Sequence, residues 1–366
     1  MSPYSNRTYF RMNRTVIEIS ELGTSDELID VRSPSEYELD HIPGAKNFPV
    51  LNDEERHHVG WTYKNKSAFD AKKIGASIVA KNIAAHIEQS FIHKPKNWSP
   101  TIYCWRGGQR SGSMSIILRQ IGWRAQQLHG GYKAFRKTVI DDTDRISDKL
   151  RFIVVCGMTG VGKTRVLESI HAHGGQILDL EDLANHRGSL LGQSPSGPQP
   201  SQKRFETQIW DRIRSVDTNK AVFVESESKK IGSLRIPEKL LTAIRSGECL
   251  NINASIEERV SRLRQDYEHY LLDPESLETD IVRLRERVGS QTIDQWVEMI
   301  NQRDWNPFIT ELLTRYYDPL YGKAMRQNFK NLNTAKNFTL ESTSDSNISD
   351  FSKQILTEFK TPNDNR

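Results

Sequence analysis

The chain has 366 residues, 36% hydrophobic and 27% charged, a length that predicts about two domains, each able to bury its own core. No apolar run approaches a membrane span, and Met1 to Arg14 is polar and basic without an apolar stretch, so insertion and secretion are not expected and a cytoplasmic location is. The net charge of +4 is too small for nucleic-acid binding by bulk charge, which leaves only a local basic surface, and Cys104, Cys156 and Cys249 are spaced for neither a disulfide framework nor a zinc site.

Residues 1–14, with Arg7, Arg11 and Arg14, read as a flexible N-terminal extension. From Val16 a short strand and a helical turn lead to the strand Leu28 to Arg32, followed by Glu36, Tyr37 and the run His41-Ile42-Pro43-Gly44-Ala45. Asn52 to Pro100 reads as an inserted helical element, with a helical run from Ile74 to Phe91 and with Trp61, Tyr63 and Phe69 expected in the core.

Thr101 to Tyr103 then forms a strand that ends at Cys104-Trp105-Arg106-Gly107-Gly108-Gln109-Arg110-Ser111, before the helical pattern of Met114, Ile117, Leu118 and Ile121. A cysteine heading such a loop sits among inward-pointing N–H groups, close to Arg106 and Arg110, and at a helix N-terminus. All three favour the nucleophilic thiolate. The same cradle suits a terminal sulfur or selenium anion carried on Cys104. Asp30 and Arg32 read as residues that fix the loop and His41 as a structural histidine, while Leu128 to Tyr132 closes the module with a sharp glycine turn.

The Asp-rich segment 141–149 reads as a linker. Beyond it the apolar run Phe152 to Cys156 leads into Gly157-Met158-Thr159-Gly160-Val161-Gly162-Lys163-Thr164 and then a helical pattern. That context makes G-x-x-x-x-G-K-T a phosphate site, because the glycines let successive N–H groups converge on one anion while the helix dipole adds to them. Lys163 reaches the terminal phosphate oxygens. Thr164 could hold a magnesium ion, although no metal site is read from the sequence itself. A second strand follows at Gln176 to Glu181, then a polar loop that includes His186 and Arg187, which are expected to form a second anion or RNA site with Lys229 and Lys230.

Gln202 to Val216 is an amphipathic helix with Phe205, Ile209, Trp210 and Ile213 on one face. The strand Ala221 to Ser228 carries Glu225 where a nucleotide hydrolase has its magnesium-binding aspartate, which weakens a case for ATP hydrolysis. Leu250 to Asn253 is the expected last core strand, and the arginine-rich helices beyond Ser255 read as exposed and ion-paired. Composition shifts to Ser, Thr, Asn and Asp after Ala335, so 336–366 is expected to be a disordered tail.

Two resemblances sharpen this reading. Asp-Val-Arg-x-x-x-Glu-Tyr with His-Ile-Pro-Gly-Ala, and the cysteine loop, resemble a rhodanese domain, an α/β module. The fold expected is a rhodanese-like α/β domain over 15–140, then a P-loop NTPase-like α/β domain with a helical C-terminal part over 150–335. The order of the two, with Leu183 to Ser189, Gln199 to Gln202 and Tyr317-Asp318-Pro319, resembles the tRNA 2-selenouridine synthase family over roughly residues 15–325. What this implies is an enzyme, a transferase acting on the wobble 2-thiouridine of tRNA. Geranyl diphosphate alkylates the sulfur, and selenium from selenophosphate then replaces the S-geranyl group. The resemblance implies no covalent cofactor and no membrane partner. Lys163 and its loop are assigned to geranyl diphosphate and Cys104 to selenium as a perselenide-like group, both centres acting on one bound RNA. The alternatives are a thiosulfate-type sulfurtransferase with an ATP-dependent regulatory domain, and an RNA-binding module that only carries sulfur.

Overall fold

The computed structural model describes residues 15–189, 191–342 and 344–359, so the expected extension 1–14 lies outside the described residues. The chain divides into two compact units, 1–141 and 142–366.

In the first unit, β1 (Val16–Ile17), β2 (Glu27–Asp30), β3 (Lys46–Asn47), β4 (Pro100–Tyr103) and β5 (Gln126–Leu128) form a parallel sheet in the order β1-β5-β4-β2-β3. β4 is central and buried along its whole length. Its carboxyl end delivers Cys104, and the helix Gln109–Ile121 leaves from there.

The inserted element is a pair of helices, Asp53–Asn65 and Ala68–His86, extended by a π-turn at Ile87–Phe91. Asn52 and Ser67 cap them, each accepting backbone N–H bonds from the first turn. The expectation for its aromatic residues fails: Trp61, Tyr63 and Phe69 are 47%, 61% and 67% exposed. The residues these helices bury are aliphatic or small instead, Thr62, Ala71, Gly75, Val79 and Ile83.

The segment expected as a linker is helical. Gly131–Ser147 runs through the boundary between the units, because Phe135, Val139, Thr143 and Ser147, four residues apart, continue one buried stripe in spite of the acidic residues between them. Ser147 Oγ donates to Thr143 O at 2.6 Å.

In the second unit, β6 (Arg151–Gly157), β7 (Gln176–Leu178), β8 (Ala221–Glu225), β11 (Glu248–Asn253) and β12 (Lys336–Thr339) form a parallel sheet ordered β12-β11-β6-β8-β7. A short antiparallel pair, β9 (Lys230–Ile231) and β10 (Leu234–Arg235), stands apart. Phe152 to Cys156 are all 2% exposed or less, as a strand covered on both faces requires. The helix Gln202–Ile213 buries Phe205, Ile209, Trp210 and Ile213, as its periodicity predicts. All three cysteines are free and buried.

The tail expected over 336–366 is corrected as far as it is described. β12 pairs in parallel with β11 from Leu250↔Lys336 to Asn253↔Thr339, so Leu250 to Asn253 is not the last core strand. The helix Asp345–Glu358 packs on Lys163–Ala172. Average composition hides the reason, which is an apolar stripe at Ile348, Phe351, Ile355 and Phe359 that joins the core beside Val166 and Ile170. Ile355 is fully buried, so Ile355→Ala is expected to destabilise the second unit by about 3 kcal/mol. Urea unfolding followed by circular dichroism measures this; a loss under about 1 kcal/mol would mean the helix contributes little to the core.

Candidate functional site

The first centre is the loop after β4. Cys104 is buried, and its Sγ accepts from Gly108 N–H at 3.3 Å and from Ser111 Oγ–H at 3.2 Å. Gln127 Nε2 donates to Gly107 O, Gly108 O and Ser111 Oγ at 2.7, 3.0 and 2.8 Å, and so holds the loop against β5. The turn leaves no room for a side chain at Gly131: at φ +56° its Cβ would stand 2.3 Å from Cys104 O and 2.6 Å from Gly107 N.

Asp30 and Arg32 have the supporting role expected of them. The buried guanidinium of Arg32 clasps the Asp30 carboxylate, donates to Asp40 O at 2.7 Å and lies 3.9 Å from the centre of the Tyr132 ring. His41 is stacked on Tyr37 and bonded to its carbonyl.

The arginines do not converge on sulfur. Arg110 is engaged by Glu36, with Nη1 2.6 Å from Oε2, because the helix Pro34–Leu39 presents that carboxylate to it. It therefore anchors the loop, and Arg106 stands exposed at its rim. The donors to Cys104 are Gly108 and Ser111. Ser111 could have been found, since it begins the first turn after the loop.

The second centre lies at the carboxyl end of β6, where open parallel sheets bind ligands. At Gly157, φ is +153° and a Cβ would lie 2.7 Å from Ile252 O, so the loop follows β11 closely. Gly157, Thr159, Gly160, Val161, Gly162, Lys163 and Thr164 form one turn into the helix Lys163–Ala172. Lys163 Nζ donates to Gly157 O at 3.2 Å and lies 4.9 Å from the centre of the Tyr321 ring. Burial opposes its charge, but Tyr321, Glu225, Glu181 and Glu227 outweigh that and raise its pKa.

Arg259, buried, holds the loop from behind: Nε donates to Thr159 O at 2.8 Å while Nη1 and Nη2 bind the carboxylate of Asp318 at 3.0 and 2.5 Å. Both residues were legible only as a charged helix and as part of Tyr-Asp-Pro. Their joint role needs the fold.

Around this loop opens a cleft of about 1400 Å³. It is lined by Lys163, Thr164 and the acidic residues at the ends of β7 and β8, and, from the helical C-terminal part, by Leu263, Leu320, Tyr267, Tyr317 and Tyr321 together with Arg262, Arg283 and Arg287. His186 and Arg187 line it too. The Arg187 guanidinium lies 4.8 Å from the Tyr267 ring centre and donates to Asp266 O, and His186 Nδ1 accepts from Gly188 N–H at 3.0 Å. Lys229 and Lys230 do not join them: both are exposed, and neither is among the residues lining the cleft. The four-residue anion site expected from sequence is thus reduced to His186 and Arg187.

The expectation of no metal site also needs correction at the level of geometry. Glu181, Glu225 and Glu227 each bring a carboxylate oxygen within 4.8 Å of the others. Glu225 is 1% exposed, and its Oε1 has no hydrogen-bond partner among the described residues. Three hard oxygen donors with one unsatisfied fit a divalent cation such as Mg2+.

Burial first, against the pull of Lys163, and then repulsion from Glu227 and Asp179 push the Glu225 carboxyl up to about 7. The folded state therefore holds a proton that the unfolded chain releases above the usual 4.5. Stability from this group is full below that value and is lost as pH rises through about 7. Glu225→Gln is expected to shrink the drop in urea midpoint between about pH 5 and about pH 7.5. An unchanged drop would place the titration elsewhere.

Comparison with known proteins follows the same division. Residues 15–138 match the family model described as a rhodanese-like domain, and residues 150–344 match that of the tRNA 2-selenouridine synthase AAA domain. Among curated relatives, the tRNA 2-selenouridine synthase of Nitrosomonas europaea is 37% identical over 66% of this chain, a match that spans 63% of that relative. Those of Marinobacter nauticus and Aeromonas salmonicida are each 32% identical, over 82% and 80% of this chain and 88% and 86% of their own lengths. A rhodanese-like unit with its cysteine loop, followed by a phosphate-loop unit, is what these matches describe, and the chain belongs to the tRNA 2-selenouridine synthase family.

Proposed function

We propose that the protein converts 2-thiouridine at the wobble position of tRNA to 2-selenouridine by way of S-geranyl-2-thiouridine, using geranyl diphosphate and selenophosphate. The observation that carries this reading is the cleft of the second unit, which brings a phosphate loop and its lysine together with leucine and tyrosine side chains and with Arg262, Arg283 and Arg287. A diphosphate head with an apolar tail matches that pairing.

In the first step the 2-thio sulfur attacks C1 of the geranyl group, the C–O bond breaks and diphosphate leaves. Backbone N–H groups of residues 157–164 and the Lys163 ammonium stabilise the growing negative charge. Glu181, Glu225 and Glu227 would hold a divalent cation, which when bound supplies further positive charge beside the leaving group. Oε1 of Glu225 has no hydrogen-bond partner among the described residues, and a cation held there would displace the proton that burial favours on this carboxyl.

In the second step a selenium nucleophile adds at C2, the C–S bond breaks and geranylthiol leaves. Alkylation makes this feasible by turning the sulfur into a group that departs as a thiol. Cys104 serves selenium delivery, its loop donating N–H and O–H bonds to a terminal anion as it does to Sγ. Selenophosphate carries selenium at the selenide level, so the delivery needs no redox step. The Cys104 thiolate attacks its phosphorus, the P–Se bond breaks, the selenide released adds at C2, and water then cleaves the S–P bond to free phosphate and restore the thiol. Mass spectrometry of nucleosides from 2-thiouridine tRNA, with each co-substrate present or omitted, tests the scheme. Geranylated nucleoside with geranyl diphosphate alone, and 2-selenouridine with both, is the expected pattern. Thiocyanate formation from thiosulfate and cyanide with untouched tRNA would favour the sulfurtransferase alternative.

A further inference from the structure

Among the described residues the exposed aromatic side chains are Trp61, Tyr63, Phe69 and Trp105, and all four belong to the first unit. Three of them stand within nine residues, at the tip of the helical hairpin Asp53–His86. The hairpin does not need them for packing, since Thr62, Ala71, Gly75, Val79 and Ile83 are what it buries. Leaving three large rings in water sacrifices the area that usually makes such residues useful.

Charge says what covers them. From Arg56 to Lys73 there are five cations, Arg56, Lys64, Lys66, Lys72 and Lys73, against one acid, Asp70, which is paired with Lys73 at 2.7 Å. These 18 residues carry as large a net positive charge as the whole chain. The cations are interleaved with the rings: Lys66 Nζ lies 5.6 Å from the Trp61 ring centre and Lys73 Nζ 5.0 Å from that of Phe69.

The base of the hairpin is tied to the cysteine loop. Arg56 Nε stands 3.9 Å from Glu36 Oε2, the oxygen that binds Arg110, and Ser35 N–H donates to Asp53 at 3.1 Å. The rings and their lysines thus sit on a hairpin whose base is linked, through Glu36, to Arg110 of the cysteine loop.

We propose that this hairpin is the RNA-holding arm of the first unit. Trp61, Tyr63 and Phe69 stack on bases splayed from a single-stranded loop, and Arg56, Lys64, Lys66 and Lys72 follow its phosphates. The arm rests on the RNA substrate of the reading above and adds to it where on the first unit that RNA is held. A protein partner fits less well, because interface cores are depleted of lysine whereas four lysines border these rings.

The test uses the full chain and a fluorescently labelled anticodon stem-loop RNA, with a fully paired RNA duplex as control, read by anisotropy. The triple variant Trp61→Ala, Tyr63→Ala, Phe69→Ala is expected to bind the stem-loop about thirtyfold more weakly, with little change on the duplex. Phenylalanine at positions 61 and 63 is expected to keep most of the affinity. Lys64→Glu with Lys66→Glu and Lys72→Glu is expected to flatten the dependence of binding on salt. Unaltered melting and an unaltered rate of Cys104 alkylation by iodoacetamide show that the variants are folded. Wild-type affinity in the aromatic variant, or an equal loss on the duplex, overturns the arm. A wild-type chain that binds no RNA overturns the proposed function instead.

Discussion

Replacing Lys163 with alanine is expected to lower kcat/KM for S-geranylation of tRNA by about a hundred- to a thousandfold, the cost of removing one preorganised charge from a developing anion. Its ammonium is kept charged by Tyr321, Glu225, Glu181 and Glu227, and it donates to the backbone at Gly157 O. Folding should survive, because the loop itself is held by Arg259 through Thr159 O and by close approach to Ile252. Lys163→Arg is not expected to rescue, since a planar guanidinium cannot occupy the place of a compact ammonium beside the Tyr321 ring. The measurement is single-turnover formation of the geranylated nucleoside, with binding of inorganic diphosphate as a second readout. Supplying tRNA already geranylated should restore selenation in Lys163→Ala. Normal alkylation by this variant would remove the phosphate loop from the first step.

The second large effect belongs to Cys104. Cys104→Ser is expected to leave geranylation within about twofold of the wild type and to reduce 2-selenouridine formation by at least about a thousandfold, because a serine hydroxyl is not acidic enough to attack the phosphorus of selenophosphate. The substitution is nearly isosteric. The hydroxyl keeps the place of Sγ opposite Gly108 N–H and Ser111 Oγ, so a loss of activity cannot be ascribed to a collapsed loop. Quantifying both nucleosides in one digest separates the two steps. Selenation at the wild-type rate would reduce Cys104 to scaffold and assign selenium transfer to another group.

The variants at positions 163 and 104 divide the reaction by domain. If each blocks its own step only, mixing Lys163→Ala with Cys104→Ser should restore selenation of unmodified tRNA, provided the geranylated intermediate is released. That makes the mixture a test of channelling as well as of assignment.

Much of the architecture was legible because the relevant signals are local. A buried apolar run leading into G-x-x-x-x-G-K-T, and a short strand ending at Cys104 before a helical pattern, each place a loop at the carboxyl end of a central strand. The failures have a common cause as well. Average composition made 336–366 a tail and 141–149 a linker, yet both contain stripes at helical spacing that a sheet and a neighbouring helix cover. For Trp61, Tyr63 and Phe69 the rule that aromatic residues fill cores was applied to a hairpin that buries aliphatic and small residues, Ile83, Val79, Ala71 and Gly75 among them.

The site divides in the same way. Chain order alone determined the identity of the nucleophile candidate and of the phosphate loop, because backbone turns of a few residues create both. Only the tertiary structure decided that Arg110 pairs with Glu36 rather than with sulfur, and that Lys229 and Lys230 are not among the residues lining the cleft that takes in Arg187. It also decided that Glu181, Glu225 and Glu227 meet around one point. Side-chain partners drawn from strands and helices tens of residues apart depend on register and packing. A linear spacing rule carries neither, so it names the loops of this protein but not the charges that surround them.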